Sequence, residues 1–265
     1  MSLSRPTVLS GSARWWPSTL FQTTTLELRR DGVGVLVDPG ISPWEIQEAA
    51  GEGVAEVVIT HGDWDHVLGI GLLDGARVTA GRLTADRLAA AGARDAVEDA
   101  AAEYYVECRG LERLRVDRPV DPPAEIELGP WTAICRPAPG HTEDGIAISL
   151  PEEGLLIVGD YLSELEIPFV NASLRDYERT LELFVEVIET EQPAHVVVGH
   201  GRPHASARAL EIAHEDLAYH AALRSFAENG GTLERADDVV CPRRDPTGDP
   251  AAHRRNVAQL LATLD

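Results

Sequence analysis

The segment Thr60-His61-Gly62-Asp63-Trp64-Asp65-His66 places two imidazoles and two carboxylates side by side, directly after the β-branched run Ala55-Glu56-Val57-Val58-Ile59. A short, apolar run of that kind reads as a buried strand, so the polar cluster begins where a strand ends, and a helix is predicted to continue through Leu73. The same arrangement recurs along the chain. Strands are predicted at Val33–Val37, Trp131–Arg136, Leu155–Val158 and His195–Val198; they are followed by Asp38-Pro39-Gly40, Pro139-Gly140-His141, Gly159-Asp160 and Gly199-His200-Gly201 respectively. Side chains on loops just beyond strand ends can converge at one edge of a sheet, and the adjoining glycines let the backbone bend sharply there.

The remaining segments supply the scaffold. Thr23–Leu28 and Val33–Val37 flank the polar turn Arg29-Arg30-Asp31-Gly32 and read as a hairpin. Ser42-Pro43 has the form of a helix start, with Trp44, Ile46 and Ala49 or Ala50 as the apolar side. Leu83 to about Cys108 reads as helix interrupted near Gly92, and further strands are predicted at Glu125–Leu128 and Ile146–Leu150. Leu174–Glu189 is an amphipathic helix, and helices are predicted from about Ala205 to Glu228 and from Pro250 to Leu264, separated by a loop-like stretch, Asp237–Asp249. The pattern is mixed α/β without an internal repeat, and residues 1–265 read as a single domain with C-terminal helices from about residue 205.

Composition removes whole classes of function. The chain has 265 residues, with 23 basic against 44 acidic side chains and a formal charge of −21. Such a charge repels polyphosphate, and no basic patch with interleaved aromatics opposes it locally, so nucleic acid is not an expected partner. Every basic residue is arginine; a lysine Schiff base and a Walker-type lysine are therefore excluded. No apolar run approaches the ~20 residues that cross a bilayer, and no membrane partner is expected. The N-terminal residues lack a secretory pattern, and Cys108, Cys135 and Cys241 are odd in number and widely spaced; a cytoplasmic protein with reduced thiols is expected. No GxSxG elbow occurs, and no cysteine adjoins a base, so serine and cysteine nucleophiles find no support.

What remains is the set of strand exits: His61, Asp63, Asp65, His66, His141, Asp160 and His200. Any one His–Asp pair in an acidic protein is ordinarily a solvated loop or a hydrogen-bonded core group. Several such groups at glycine-flanked strand exits point instead to a metal site, with imidazole and carboxylate donors suited to zinc, iron or manganese and enough of them for two ions. His195, His204, His214, His220 and His253 stay outside this set; His204 is expected on a surface loop and the helix histidines at the surface or an interface.

The four motifs Thr60-His61-Gly62-Asp63-Trp64-Asp65-His66, Pro139-Gly140-His141-Thr142, Gly159-Asp160 and Gly199-His200-Gly201, in that order after Val37-Asp38-Pro39-Gly40, resemble the metallo-β-lactamase-fold hydrolase superfamily from about Thr23 to Arg202. The resemblance implies a four-layer αβ/βα sandwich with a dinuclear site along one edge of its two sheets. It implies that His61, Asp63 and His141 hold the first ion, that Asp65, His66 and His200 hold the second, and that Asp160 bridges them. Asp38 is then expected to orient a ligand imidazole by accepting its distal N–H. The sequence departs from the superfamily's commonest first motif at Asp63, where histidine is usual. Aspartate is shorter, anionic and a harder donor, which raises iron or manganese beside zinc as the resident pair of divalent ions. Flavodiiron proteins, a redox branch, place a carboxylate there too, although glutamate.

The activity expected is that of a metal-dependent hydrolase using a metal-bound hydroxide on a small ester, thioester, lactone or related substrate, with Asp65 as ligand and proton acceptor. The alternatives are a diiron redox or oxygen-using enzyme of the same superfamily and a catalytically weak metal-binding protein. The partner is a small molecule, Trp64 and Tyr161 are the expected pocket walls, and a homodimer through the helices after Ala205 is compatible with the pattern.

Overall fold

The structure, a computed structural model, describes residues 6–41, 43–241 and 250–262. Among them, β1 (Thr7–Val8), β2 (Ala13–Pro17), β3 (Thr24–Arg30), β4 (Val33–Val37), β5 (Glu56–Ile59), β6 (Arg77–Gly81) and β7 (Arg118–Val120) form one sheet in sequence order. A second sheet runs β12-β11-β10-β9-β8, from β8 (Ala124–Leu128), β9 (Trp131–Pro137), β10 (Ile146–Leu150), β11 (Leu155–Ile157) and β12 (His195–Val197). The β3–β4 hairpin closes through Asp31 and Gly32, both at positive φ (53° and 79°). Asp-Gly is favoured where a two-residue turn must match the twist of its strands.

The sheets pack face to face because their strands alternate. On β9, Trp131, Ala133 and Cys135 point inward and join Leu26, Leu28, Val35, Val37 and Val58 of the first sheet in one buried cluster. β5 is buried on both sides: Val58 enters this cluster, while Val57 and Ile59 face the opposite way. There they meet α1 (Pro43–Gly51), α2 (Trp64–Val67), α3 (Arg82–Ala89) and α4 (Ala93–Glu103), through residues such as Ile46, Val67, Leu88 and Val97. The outer face of the second sheet carries α5 (Leu174–Glu191) and α6 (Ser206–Glu228), buried through Tyr177, Leu181, Phe184, Ala209 and Ile212. Ser173 caps α5 by accepting from the Asp176 N–H at 3.2 Å. The order helix, sheet, sheet, helix is the four-layer sandwich expected. α7 (Pro250–Ala262) packs on the C-terminal half of α6 through Tyr219, Leu223, Val257 and Leu260.

Some local expectations are corrected. Trp44 is 69% exposed, because Ile46 and Ala49 set the buried face of α1 and Trp44 lies roughly 200° around the helix from Ile46. The helix expected through Leu73 stops at Val67 and gives way to a 3₁₀ turn over Leu68–Leu72, since the Gly69 N–H leaves the helical ladder to donate to Pro39 O at 2.8 Å. His204 is buried, paired with Val196 by two backbone hydrogen bonds of 2.8 Å. His220 and His253 are also interior, because α6 is covered by both α5 and α7. The Ser42 cap, the Asp237–Asp249 loop from residue 242 onward and the final residues of the last predicted helix lie outside the described residues. No helix among the described residues is long and apolar enough to cross a membrane.

His220 is completely buried between Tyr177 and Tyr219, with neither ring nitrogen hydrogen-bonded. Burial, with Arg224 adding to it, pushes its imidazole down to about 3 from the usual 6.5. The unfolded chain therefore takes up a proton that the folded chain refuses. The associated stability is complete above pH 6.5 and is lost as pH falls toward 3. Urea unfolding with chelator present, at about pH 7 and about pH 4.5, should show a larger acid-induced loss in the wild type than in His220→Phe; equal losses would contradict this assignment.

Candidate metal centre

The strand order explains why distant motifs meet. β4 and β5 are parallel neighbours, as are β11 and β12, so Asp38 and His61 leave one sheet, and Asp160 and His200 leave the other, at the ends of adjacent strands. Hydrogen bonds tie the sheets together at this edge: Thr24 N–H donates to Gly199 O at 2.7 Å, Gly201 N–H to Gln22 O at 2.9 Å, and Ile146 N–H to Thr60 O at 2.8 Å. Two glycines allow the close approach. Gly140 has φ 128°, and a Cβ there would lie 2.3 Å from the Tyr177 backbone; a Cβ on Gly199 would lie 2.0 Å from Asp160 Oδ1.

All seven expected site residues come together in two groups. His61, Asp63, His141 and Asp160 each offer a ligand atom within 4.8 Å of the others, and Asp65, His66 and His200 do the same. Asp160 lies between them: its Oδ2 is 3.2 Å from both His141 Nε2 and His200 Nε2 and 3.5 Å from His61 Nε2, while Oδ1 is 3.1 Å from His66 Nε2. Asp63 Oδ2 is 3.3 Å from His141 Nε2 and 3.7 Å from His61 Nε2. Asp65 Oδ2 is 3.6 Å from the Nε2 atoms of His66 and His200 and accepts from Thr23 Oγ1–H at 2.9 Å.

Each imidazole is fixed from behind. His141 Nδ1 lies 2.8 Å from Phe169 O and His200 Nδ1 lies 3.0 Å from Phe21 O. A carbonyl only accepts, so both Nδ1 atoms carry the proton. His66 Nδ1 donates to Asp38 Oδ2 at 3.1 Å, the orienting role expected of Asp38. Asp38 is itself held by Thr60, whose N–H and Oγ1–H donate to its two oxygens at 2.8 and 2.7 Å. With its hydrogen so committed, Thr60 Oγ1 accepts from His61 Nδ1 at 3.0 Å. In the neutral rings all four Nε2 lone pairs therefore face the centre.

The donor set fits metal cations. His61 Nε2, His66 Nε2 and Asp160 Oδ1 are buried without hydrogen-bond partners, an arrangement that costs free energy unless a ligand satisfies it. The charges point the same way. Burial opposes protonation of His141 and His200, yet Asp160 and its neighbouring carboxylates outweigh it and push both up to about 10. Burial likewise opposes ionisation of Asp160, but the four imidazoles hold it well below the usual carboxylate range. A pocket this attractive to positive charge accommodates protons or, better matched to its lone pairs, metal ions.

Of the two side chains expected as pocket walls, Tyr161 is placed otherwise. Trp64 stacks on Tyr104 at 5.8 Å between centroids, and Phe21 meets both edge-on at 6.0 and 4.8 Å, so an aromatic trio adjoins the ligand motif. Tyr161 is 3% exposed and belongs to the helix-side core. Its hydroxyl donates to Pro139 O at 2.8 Å and accepts from His141 N–H at 2.9 Å, so it shapes the His141 turn rather than lining a pocket. Sequence reading also passed over Thr23, Thr60, Arg87 and Asp144. α7 reaches the site as well: Asn256 Nδ2 donates to Pro168 O at 2.6 Å, its Oδ1 accepts from Val170 N–H at 3.2 Å, and Gln259 Nε2 donates to Ala172 O at 3.1 Å.

Residues 18–209 match the family model of the metallo-beta-lactamase superfamily, and the chain belongs to that superfamily. No curated protein matches the chain. Among solved structures, it is similar to a metallo-beta-lactamase family protein from Thermus thermophilus, with 22% identity over 97% of this chain and 95% of the other and a TM-score of 0.66. It is also similar to the stereoselective inverting sec-alkylsulfatase Pisa1 from Pseudomonas sp., with 13% identity over 99% of this chain but only 52% of the other and a TM-score of 0.75. An archaeal superfamily protein from Sulfolobus tokodaii aligns with 18% identity over 78% of this chain and 85% of the other, with a TM-score of 0.57. At these identities the likeness is one of fold.

Gly199→Ala should push the Asp160 carboxylate aside, lower bound metal at least to about half and cost about 1–3 kcal/mol of stability. Elemental analysis beside urea unfolding checks both, and full metal content in a folded variant would contradict the close approach of Gly199 to Asp160.

Proposed function

We propose that the protein is a dinuclear metal-dependent hydrolase acting on a small ester, thioester or lactone. The observation that carries this reading is the convergence of four imidazole Nε2 atoms and three carboxylates on one buried edge, with every imidazole held from behind. His61, Asp63 and His141 would hold one ion, Asp65, His66 and His200 the other, with Asp160 between them. When bound, such ions supply Lewis acidity that polarises a scissile carbonyl and acidifies water. Zinc is the first choice because imidazole-rich sets suit it.

The chain's own residues do the rest. Thr23 donates to one oxygen of Asp65 and so fixes the carboxylate proposed to take up a proton. Trp64, Phe21 and Tyr104 offer aromatic surface for the apolar part of a substrate. The formal charge of −21 disfavours polyanionic substrates. Because one fold neighbour is a sec-alkylsulfatase, an alkyl sulfate belongs in the substrate panel. A second reading, a diiron redox enzyme, is favoured by one observation: the carboxylate of Asp63, a harder donor than histidine.

Protein purified without added metal or chelator should contain about two zinc ions per chain and hydrolyse a member of an ester, thioester, lactone and alkyl sulfate panel. His141→Ala should lose metal and reduce turnover by roughly a hundredfold. Iron together with oxygen- or thiol-dependent turnover would transfer the assignment to the redox reading, and failure to bind any transition metal after reconstitution would overturn both.

A further inference from the structure

Asp63 is where this chain departs from the imidazole-rich motif, and the structure surrounds that departure with a specific partner. Asp63 Oδ1 accepts from Arg87 Nη2 at 2.7 Å, while Oδ2 faces His141 Nε2 and His61 Nε2. Arg87 comes from α3, outside the ligand motifs. Its other amine, Nη1, donates to Asp144 Oδ1 at 3.1 Å, and Asp144 Oδ2 accepts from the Gly62 N–H at 2.8 Å. One guanidinium thus spans two carboxylates, one pointing into the centre and one anchored to the backbone of the ligand motif itself. Gly62 leaves the room for this: a Cβ there would lie 2.9 Å from Asp144 Oδ2 and 3.0 Å from Arg87 Cδ.

A free carboxylate differs from an imidazole in two ways. It carries a charge, and it offers two oxygens, which permits two-oxygen chelation and favours ions of higher coordination number and harder character. The Arg87 contact addresses both, since it engages one oxygen and places a permanent positive charge beside the carboxylate. Resting on the metal-centre reading above, we propose that Arg87 is a positioning residue that makes Asp63 a one-oxygen ligand, so that a carboxylate fills the place of an imidazole without turning the first site into a hard, oxygen-rich one. The Asp144 bridge holds the guanidinium at that angle. Freed of Arg87, the Asp63 carboxylate would present both oxygens, and the site would shift toward manganese and away from zinc.

The test is titration of zinc and, separately, manganese into the chelator-treated full chain, with affinities read by calorimetry or competition with a metal-sensitive dye. In Arg87→Gln, the affinity for manganese relative to zinc at the first site should rise by about tenfold. In an Asp63→His background, the same substitution should leave that ratio within about threefold, because an imidazole has no second oxygen to release. An unchanged ratio in Arg87→Gln overturns the proposal, and so does an equal shift in both backgrounds, which would show that Arg87 acts through Asp144 and general structure alone. If Arg87→Gln does not fold, Arg87→Met, which keeps the aliphatic stem and removes both the charge and the donors, is measured against the same two criteria. Wild-type protein that binds neither metal sinks the metal-centre reading and this inference with it, whereas wild-type protein that binds two ions with a ratio insensitive to Arg87 sinks this inference alone.

Discussion

The carboxylate of Asp160 is the constraint around which the molecule is arranged. A largely buried charge is tolerated only where opposite charge or hydrogen-bond donors compensate it, and here four imidazoles stand within 3.5 Å of its two oxygens. Those imidazoles come from the ends of strands in both sheets, from the β9–β10 turn and, for His66, from α2. The sheets must therefore meet at one edge with little freedom to slide, and the cross-sheet hydrogen bonds of Thr24, Gly201 and Ile146 hold them there. Gly199, whose Cα leaves no space for a side chain beside Asp160, belongs to the same requirement.

Behind this first circle lies a second, half main chain and half side chain. The carbonyls of Phe21 and Phe169 accept from His200 and His141, and the Thr60–Asp38 pair serves His61 and His66. Main-chain acceptors are positioned by the fold rather than by rotamer choice, so the orientation of His141 and His200 is inherited from the backbone, whereas His61 and His66 rely on the side chains of Thr60 and Asp38. Phe21 shows the economy of this arrangement: its carbonyl fixes a ligand-type histidine while its ring packs against Trp64 and Tyr104.

The convergence of His61, Asp63, Asp65, His66, His141, Asp160 and His200 was legible in the sequence because strand ends, glycines and ligand-type residues coincide at each motif, and the four-layer fold followed from the family resemblance that those motifs carry. The orienting role of Asp38 also came from that resemblance. What escaped has a common physical origin. Thr60 and Thr23 act through hydroxyls whose importance depends on which neighbours they face, and Arg87 and Asp144 lie on elements with no local ligand pattern. Tyr161 and His220 were misplaced because a helix or turn that looks amphipathic in isolation can be covered on both sides by elements far away in sequence, as α6 is by α5 and α7. Trp44 failed in the opposite sense: a large apolar side chain near a helix start was counted toward the core, although Ile46 and Ala49 alone define the buried face.

The grip of α7 on the turn from Pro168 to Val170 joins the far end of the chain to its chemistry. Asn256 holds both neighbours of Phe169, and the Phe169 carbonyl in turn holds the His141 ring. Only the loop Pro168–Val170 thus separates the last helix from a ligand-type imidazole. The C-terminal helix is therefore a buttress for the turn behind His141 as well as a cover for α6.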